Sequence, residues 1–383
     1  MINNKIKGII KTSISAVSAL LFLFSVNALS QNKLMVDSIE REYLLHVPPS
    51  YDGNDSVPLI IALHNAYEDA AGFESMTALS IKSDSEGFIV AYPNGTGNPR
   101  MWNAGNCCGA AMTDSINDVG FISLLIDTLS EKYNIDTARI YAAGFSNGSI
   151  LAYRLAAELS DKISGIACMS GQMMLDECNP DNPVSIIHFH ALNDNSVPYE
   201  GGSGSGYEWP PVESVIDLWA EINNCSDTPD TIFDQAGVVG KRWAGPEANI
   251  IVYTFPKGGH AWVKSPISAT DLLWEFFSTG NAVPPDIPTA INYRFNNNDY
   301  QNDIAVKYPA HFGGDNTIII TSNINGNLKV MIFDIYGRLI KTEEVSGQGD
   351  HCISLSNYSG LQHGAFLIRI LSDKTNITKK IVL

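Results

Sequence analysis

The sequence predicts an α/β domain with a mainly parallel sheet, followed by a small C-terminal β-sandwich domain. Three observations carry this. Continuous apolar runs of strand length recur through the first 260 residues, and continuous rather than alternating runs suit strands buried on both faces. Stretches with apolar residues at helical spacing separate them, the strand and helix alternation of a parallel sheet. Composition then changes near residue 281, and only short β-type segments follow.

In chain order, VPLIIALH at 57–64 and GFIVAYPN at 87–94 read as strands. DVGFISLLIDTLSEKYNID follows, with Ile122, Leu125, Ile126, Leu129 and Tyr133 on one helical face. RIYAAG leads into a turn at GFSNGS, and SILAYRLAAEL continues as a helix. The order repeats with ISGIACMSG and VSIIHFH as strands, VESVIDLWAEINN as a helix, NIIVYTFPKGGH as a strand and SATDLLWEFFSTG as a closing helix. The α/β domain is therefore expected over 31–280. AVPPDIPTAINYRFNNNDYQND, with three prolines and five asparagines in 22 residues, suits a linker, assigned to 281–312. TIIITSNI, LKVMIFDIYGRLI, HCISLSN, GAFLIRILSD and KKIVL, separated by Gly, Asn and Ser, predict the β-sandwich over 313–383.

The chain opens with Lys5, Lys7 and Lys11, an apolar stretch from Ile14 to Val26, and the small residues Ala28 and Ser30. This pattern predicts a secretory signal peptide over 1–30, too short in its apolar run for a membrane span. A formal charge of -17, from 41 acidic against 24 basic residues, does not neutralise phosphates at useful density and argues against nucleic acid as a partner. Six cysteines in an exported chain permit disulfides. Cys107 and Cys108 are adjacent and are expected to have different partners. No C-x-x-C or paired-histidine spacing suggests a metal site.

Gly144, Ser146 and Gly148 form G-x-S-x-G, which sets a serine hydroxyl at the tip of a sharp strand-to-helix turn. A nucleophilic serine needs a histidine to take its proton and an acid to orient that histidine. In an α/β-hydrolase fold the chain order is serine, acid, histidine, each on a loop at the carboxyl end of a strand. Asp194, after VSIIHFH, and His260, after IIVYTF, satisfy that order. Asp194 also suits an Asx-turn in its LNDNS context; Asp176 comes too early in the chain. Of the other histidines, His188 and His190 lie in an apolar run and read as buried, hydrogen-bonded residues, and His64 reads as a buttress of the loop behind its strand. Oxyanion donors are expected from the backbone N–H of Asn147 and from the loop LHNAYEDA near Asn65 and Ala66. Asparagine tolerates positive φ, so Asn65 is expected to preserve the shape of that loop.

GFSNGS, WNAGNCCG at 102–109, NDVGFI at 117–122, NDNSVPYEGG at 193–202 and PKGGHAW at 256–262 together resemble the feruloyl esterase and polyhydroxybutyrate depolymerase group of secreted α/β-hydrolases, within the first family of carbohydrate esterases. The resemblance covers most of residues 40–280. It implies the triad Ser146, Asp194 and His260, and brings WNAGNCCG near the site. Trp102 is then a candidate substrate wall, with core packing as its alternative, and Trp262 is a second candidate contact. Two positions depart from the group: Asn65 stands for the usual glycine after the loop histidine, and Ser149 for the second glycine after Asn147. The tail, in LKVMIFDIYGRLIKTEE and GAFLIRILSDKTNITKKIVL, resembles the C-terminal sorting domain of type IX secretion, with VKYPAHFGGDN where its opening motif usually stands.

The expectation is a secreted or cell-surface serine esterase that needs no cofactor and acts first on hydroxycinnamoyl esters of plant cell-wall polysaccharide. Acetyl-xylan esterase and polyhydroxybutyrate depolymerase are alternatives that share every catalytic residue. A non-catalytic carbohydrate-binding protein on the same fold is the alternative of another class. Partners are the ester substrate and the secretion machinery.

Overall fold

The computed structural model describes residues 30–285 and, beyond them, residues 291–294, 304–308, 317–322, 326–334, 339–354, 365–372 and 375–382. The expected signal peptide lies outside the described residues, except for its last one. Among the described residues no helix is long and apolar enough to cross a membrane.

One sheet of ten strands organises the α/β part. Its strands are β1 (Ser30–Val36), β2 (Ile39–His46), β3 (Val57–Leu63), β4 (Ile89–Pro93), β5 (Ile135–Phe145), β6 (Gly165–Met169), β7 (Ser185–Ala191), β10 (Asp230–Gln235), β11 (Val238–Trp243) and β12 (Ile250–Phe255). β8 (Gly202–Gly204) and β9 (Tyr207–Trp209) pair as a small separate hairpin. The order across the large sheet is β1-β2-β4-β3-β5-β6-β7-β12-β11-β10. The six central strands, β4 to β12, run parallel, and two antiparallel strands close each edge. The continuous apolar runs became the central strands because both their faces are covered: Leu59 to Leu63 and Ile89 to Tyr92 are fully buried. Edge strands bury one face only, so β10 (DTIFDQ) has no continuous run to recognise.

The helices are α1 (Ala70–Thr77), α2 (Leu79–Glu86), α3 (Gly109–Thr113), α4 (Asp118–Lys132), α5 (Asn147–Glu158), α6 (Val212–Ile222) and α7 (Ala269–Thr279). Two apolar clusters form. The larger contains Trp102, α4, α5 and α6; the second contains Phe73, Trp262 and α7. The sheet's alternating side chains feed both: Leu59, Ile61 and Leu63 go to the first, Ile60 and Ala62 to the second.

Two sequence expectations are corrected here. Cys107 and Cys108 are joined to each other, across a cis peptide that brings their Cα atoms to 3.1 Å, while Cys168, Cys178 and Cys225 are free thiols. The linker expected over 281–312 carries two strands, β13 (Ile291–Arg294) and β14 (Ile304–Tyr308), because β15 (Thr317–Ser322) supplies the ladder that such short segments lack alone. They extend an antiparallel sheet ordered β13-β14-β15-β18; a second runs β17-β16-β19-β20, with β16 (Asn327–Asp334), β17 (Leu339–Ser346), β18 (Gly349–Ser354), β19 (Ala365–Ser372) and β20 (Thr375–Val382). Leu328, Val330 and Ile332 alternate into a buried face there, as do Ile368 and Ile370.

Candidate active site

Ser146 sits between the end of β5 and the first turn of α5 with φ 53° and ψ -120°. A non-glycine residue reaches positive φ only at a cost in strain, and such strain concentrates at functional sites. Two bonds hold it: Ser146 N–H donates to the Met169 carbonyl of β6 at 2.8 Å, and the Ser146 carbonyl accepts the first bond of α5, from Ile150 N–H, at 3.0 Å. The flanking glycines are required by space. A Cβ at Gly144 would collide with the Gly148 carbonyl, and one at Gly148 with the carbonyls of Leu63 and His64. That second contact packs the loop after β3 directly against the serine turn. Although Ser146 occupies the N-cap of α5, its side chain makes no capping bond. The hydroxyl instead lies 2.8 Å from His260 Nε2.

His260 Nδ1 lies 2.7 Å from Asp194 Oδ2. The other carboxylate oxygen, Oδ1, accepts from the N–H groups of Ser196 at 2.9 Å and Val197 at 3.0 Å. Asp194 thus makes an Asx-turn with one oxygen and faces the histidine with the other. Burial by itself would raise the Asp194 carboxyl, but the bond from His260, the Val197 N–H and the nearby imidazoles outweigh it, and the group is held below the ordinary carboxyl range. Ionised, Asp194 only accepts, so His260 carries its proton on Nδ1 and leaves Nε2 to accept from the serine hydroxyl.

The strand order explains how three residues distant in sequence meet. β5, β6, β7 and β12 are successive neighbours, so the carboxyl ends of β5 and β12 lie about 14 Å apart at ordinary strand spacing. The loop after β12 must reach back across the sheet. Gly258 and Gly259 make that return with φ 149° and 61°, and Gly259 N–H donates to Asn193 Oδ1 at 2.9 Å, tying the histidine loop to the acid loop.

The expected oxyanion segment lies beside this line. Asn147 is buried and opens α5, where the first-turn N–H groups have no carbonyl within the helix to receive them. Among the described residues neither Asn65 N–H nor Ala66 N–H donates to a backbone carbonyl. The positive φ in this loop falls on Tyr67, at 70°, and not on Asn65, so the tolerance expected of Asn65 is not what preserves the loop. His64 does that work, with Nδ1 bonded to the Asn65 carbonyl at 2.8 Å and Nε2 accepting from Gly95 N–H at 2.9 Å. Burial lowers this imidazole to about 4, so it stays neutral and can accept at Nε2.

The expected substrate aromatics are corrected. Trp102 has no exposed surface, and its indole N–H donates to the His64 carbonyl at 2.8 Å. Its backbone is clamped by the Asn147 amide, which accepts from Trp102 N–H at 2.7 Å and donates to the Trp102 carbonyl at 3.1 Å. Trp102 therefore fastens the loop after β3 to the serine turn from behind. Trp262 is 7% exposed, packs edge-on against Phe73 and donates to Thr270 Oγ1. Both rings are spent on packing because neighbours distant in sequence cover them. Sequence reasoning passed over Arg41 and Asp118, a buried pair at 2.6 Å whose carboxylate also accepts from Asn103 N–H at 2.7 Å, next to Trp102. An aspartate opening an apolar helix in NDVGFI was the available signal. Among the described residues no cluster of three or more His, Cys, Asp or Glu could hold a metal ion.

Known proteins resemble this chain in its fold and in two of its segments. Residues 41–186 match the family described as Esterase PHB depolymerase, and residues 314–383 match the secretion system C-terminal sorting domain, which marks the chain for export. Feruloyl esterase B of Piromyces equi is 29% identical over 201 residues, covering 49% of this chain and 37% of that protein. The bifunctional acetylxylan esterase/xylanase XynS20E of Neocallimastix patriciarum is 30% identical over 191 residues, covering 50% of this chain and 25% of that one. The chain thus spans well under half the length of these two relatives. The solved acetyl xylan esterase from Aspergillus awamori superposes with a TM-score of 0.50 at 15% identity, covering 65% of this chain and 99% of that chain. The fold is that of the α/β-hydrolases.

Proposed function

We propose that this chain, with its esterase-family segment and its export domain, is a secreted serine carboxylic-ester hydrolase that releases hydroxycinnamic acids from plant cell-wall polysaccharide. The observation that carries this is the hydrogen-bonded line from Ser146 through His260 to Asp194. Ser146 Oγ attacks the ester carbonyl while His260 Nε2 takes its proton. Asp194 holds the Nδ1–H tautomer and stabilises the imidazolium that forms. His260 then gives the proton to the leaving alcohol, an acyl-enzyme remains on Ser146, and water deprotonated by the same histidine releases the acid. The Asn147 N–H and an N–H of the Asn65–Ala66 segment receive the oxyanion, each such donor being worth about 10²- to 10³-fold in rate.

Export favours a substrate too large to enter the cell, and the relatives named as feruloyl and acetylxylan esterases suggest cell-wall esters. A second reading, removal of acetyl groups, is favoured by one observation: neither Trp102 nor Trp262 has a ring face left for an aromatic acyl group. The chain divides, on this proposal, into the esterase domain over 31–280 and the sorting domain over 313–383. The test is ferulate release from methyl ferulate and feruloylated arabinoxylan, beside acetate release from acetylated xylan, with Ser146→Ala as blank. Ferulate from the wild type alone supports the first reading and acetate alone the second. Release of neither overturns both cell-wall readings and leaves polyhydroxybutyrate depolymerisation as the ester reading to test.

A further inference from the structure

Behind the acid loop runs a string of buried polar side chains that the reaction does not use. Tyr153 Oη lies 3.0 Å from His188 Nδ1, His188 Nε2 lies 3.0 Å from His190 Nδ1, and His190 Nε2 lies 2.8 Å from the Val197 carbonyl. Tyr153, His188 and His190 have no exposed surface. Burying two imidazoles costs free energy that apolar residues of similar size would not.

The direction of the string follows from its end. A carbonyl only accepts, so His190 carries its proton on Nε2 and accepts at Nδ1; His188 then donates from Nε2 and accepts at Nδ1, which makes Tyr153 the donor. Burial holds both imidazoles below their ordinary range, and neutral rings are what this pattern requires. Because the string terminates on a carbonyl, it cannot relay a proton onward. Its two ends are informative. Tyr153 stands on α5, the helix that follows Ser146, and Val197 lies in the turn of Asp194. The carbonyl of Val197 takes the string while its N–H donates to Asp194 Oδ1 at 3.0 Å. His190 Nε2 is 3.7 Å from Asp194 Oδ2, too far for a direct bond. The ring of Tyr199, edge-on to His190 at 5.6 Å, fixes its plane.

We propose that His190, backed by His188 and Tyr153, is a positioning residue that sets the Asp194 carboxylate against His260 by holding the Val197 peptide. The inference rests on Asp194 being the acid of the esterase. The string references the acid turn to the helix of the nucleophile, so that both elements share one rigid frame.

The test compares His190→Met with His190→Gln in the full chain, two side chains of nearly the same shape of which only glutamine can donate to the Val197 carbonyl. Three readouts are taken: kcat and KM on p-nitrophenyl acetate, the thermal melt, and exchange of the Val197 amide. His190→Met is expected to lower kcat about 10- to 100-fold, with KM within about twofold, as misplacement of a catalytic group does. It should also speed Val197 exchange. His190→Gln should stay within about threefold of wild type although its melt shifts by a similar amount, the residual loss being that of one imperfect hydrogen bond. Equal kcat and equal exchange in the two variants overturns the proposal. Should His190→Met lose its cooperative melt, Tyr153→Phe cuts the string at the far end; it is expected to speed the same amide and lower kcat about threefold, and wild-type values there overturn the proposal. No turnover by the wild type would remove the esterase reading, and the exchange comparison would still decide whether His190 holds the turn.

Discussion

Asp194 and Asp118 are both buried aspartates, and both sit at the carboxyl edge of the sheet's loops, yet their environments push them in opposite directions. Asp118 accepts from the Arg41 guanidinium and Asn103 N–H, with Arg41 also bonded to the Asn94 carbonyl and lying 4.1 Å over the Phe121 ring. Burial is so complete that it outweighs Arg41, and the Asp118 carboxyl is raised. Asp194 has weaker, neutral donors but keeps its carboxyl lowered. A full opposite charge does not by itself make a carboxylate easy to ionise; depth of burial decides how much of that charge is spent on desolvation. The first arrangement fastens the WNAGN loop behind the serine, and the second is linked, through His260, to the Ser146 hydroxyl.

Breaking each aspartate separates these roles. Asp194→Asn should cost the most in activity, about 10⁴-fold in kcat, because the amide would favour the wrong His260 tautomer; its melting temperature should move little, and kinetics beside a thermal melt checks both. Asp118→Asn should do the reverse. The carboxyl is raised, so the fold holds its neutral form better than its ionised one, and the neutral amide should cost only about 1–3 kcal/mol, from imperfect hydrogen bonds to Arg41 and Asn103, with kcat per folded molecule within about tenfold of wild type; urea unfolding and active-site titration measure the two. Replacing the pair, Arg41→Met with Asp118→Leu, removes both buried charges and should cost about 1–3 kcal/mol for the Asn103 N–H left without its acceptor.

The smallest effect sharpens the contrast through pH. Asp194 is lowered in the folded state, so the native protein binds fewer protons than the unfolded chain just below the ordinary value of 3.8, and its contribution to stability is lost as pH falls through the folded pKa. Asp118 is raised, so the native protein binds more protons above 3.8, and stability falls as pH rises from 3.8 through its folded pKa. Melting temperature against pH should therefore lose its upper slope in Asp118→Asn and its lower slope in Asp194→Asn. The same slope lost in both would dissolve the comparison.

Much of this was legible beforehand, and the failures have physical causes. Central strands such as β3 and β7 announce themselves because burial on both faces demands unbroken apolar runs. The edge pairs β1–β2 and β10–β11 bury one face only, so no continuous apolar run marks them. Asp194 and His260 could be chosen because each follows a recognisable strand. Trp102 and Trp262 were misjudged because a tryptophan's exposure depends on what covers it, and nothing local to WNAGN or GGHAW states that. Cys107 and Cys108 were misjudged because the geometry of the peptide between them is not written in residue type.

The sequence alone determined which residues end the central strands, since apolar period and glycine turns are local properties of the chain. It also determined the chemistry on offer at those ends: a serine, an aspartate and a histidine in hydrolase order. Only the tertiary structure decided that they meet, because contact between His260 and Ser146, 114 residues apart, depends on strand order and on a glycine loop reaching back across the sheet. It likewise decided that Trp102 is a fastener and that His190 stands behind Asp194, since burial is a property of the assembled core and not of any segment within it.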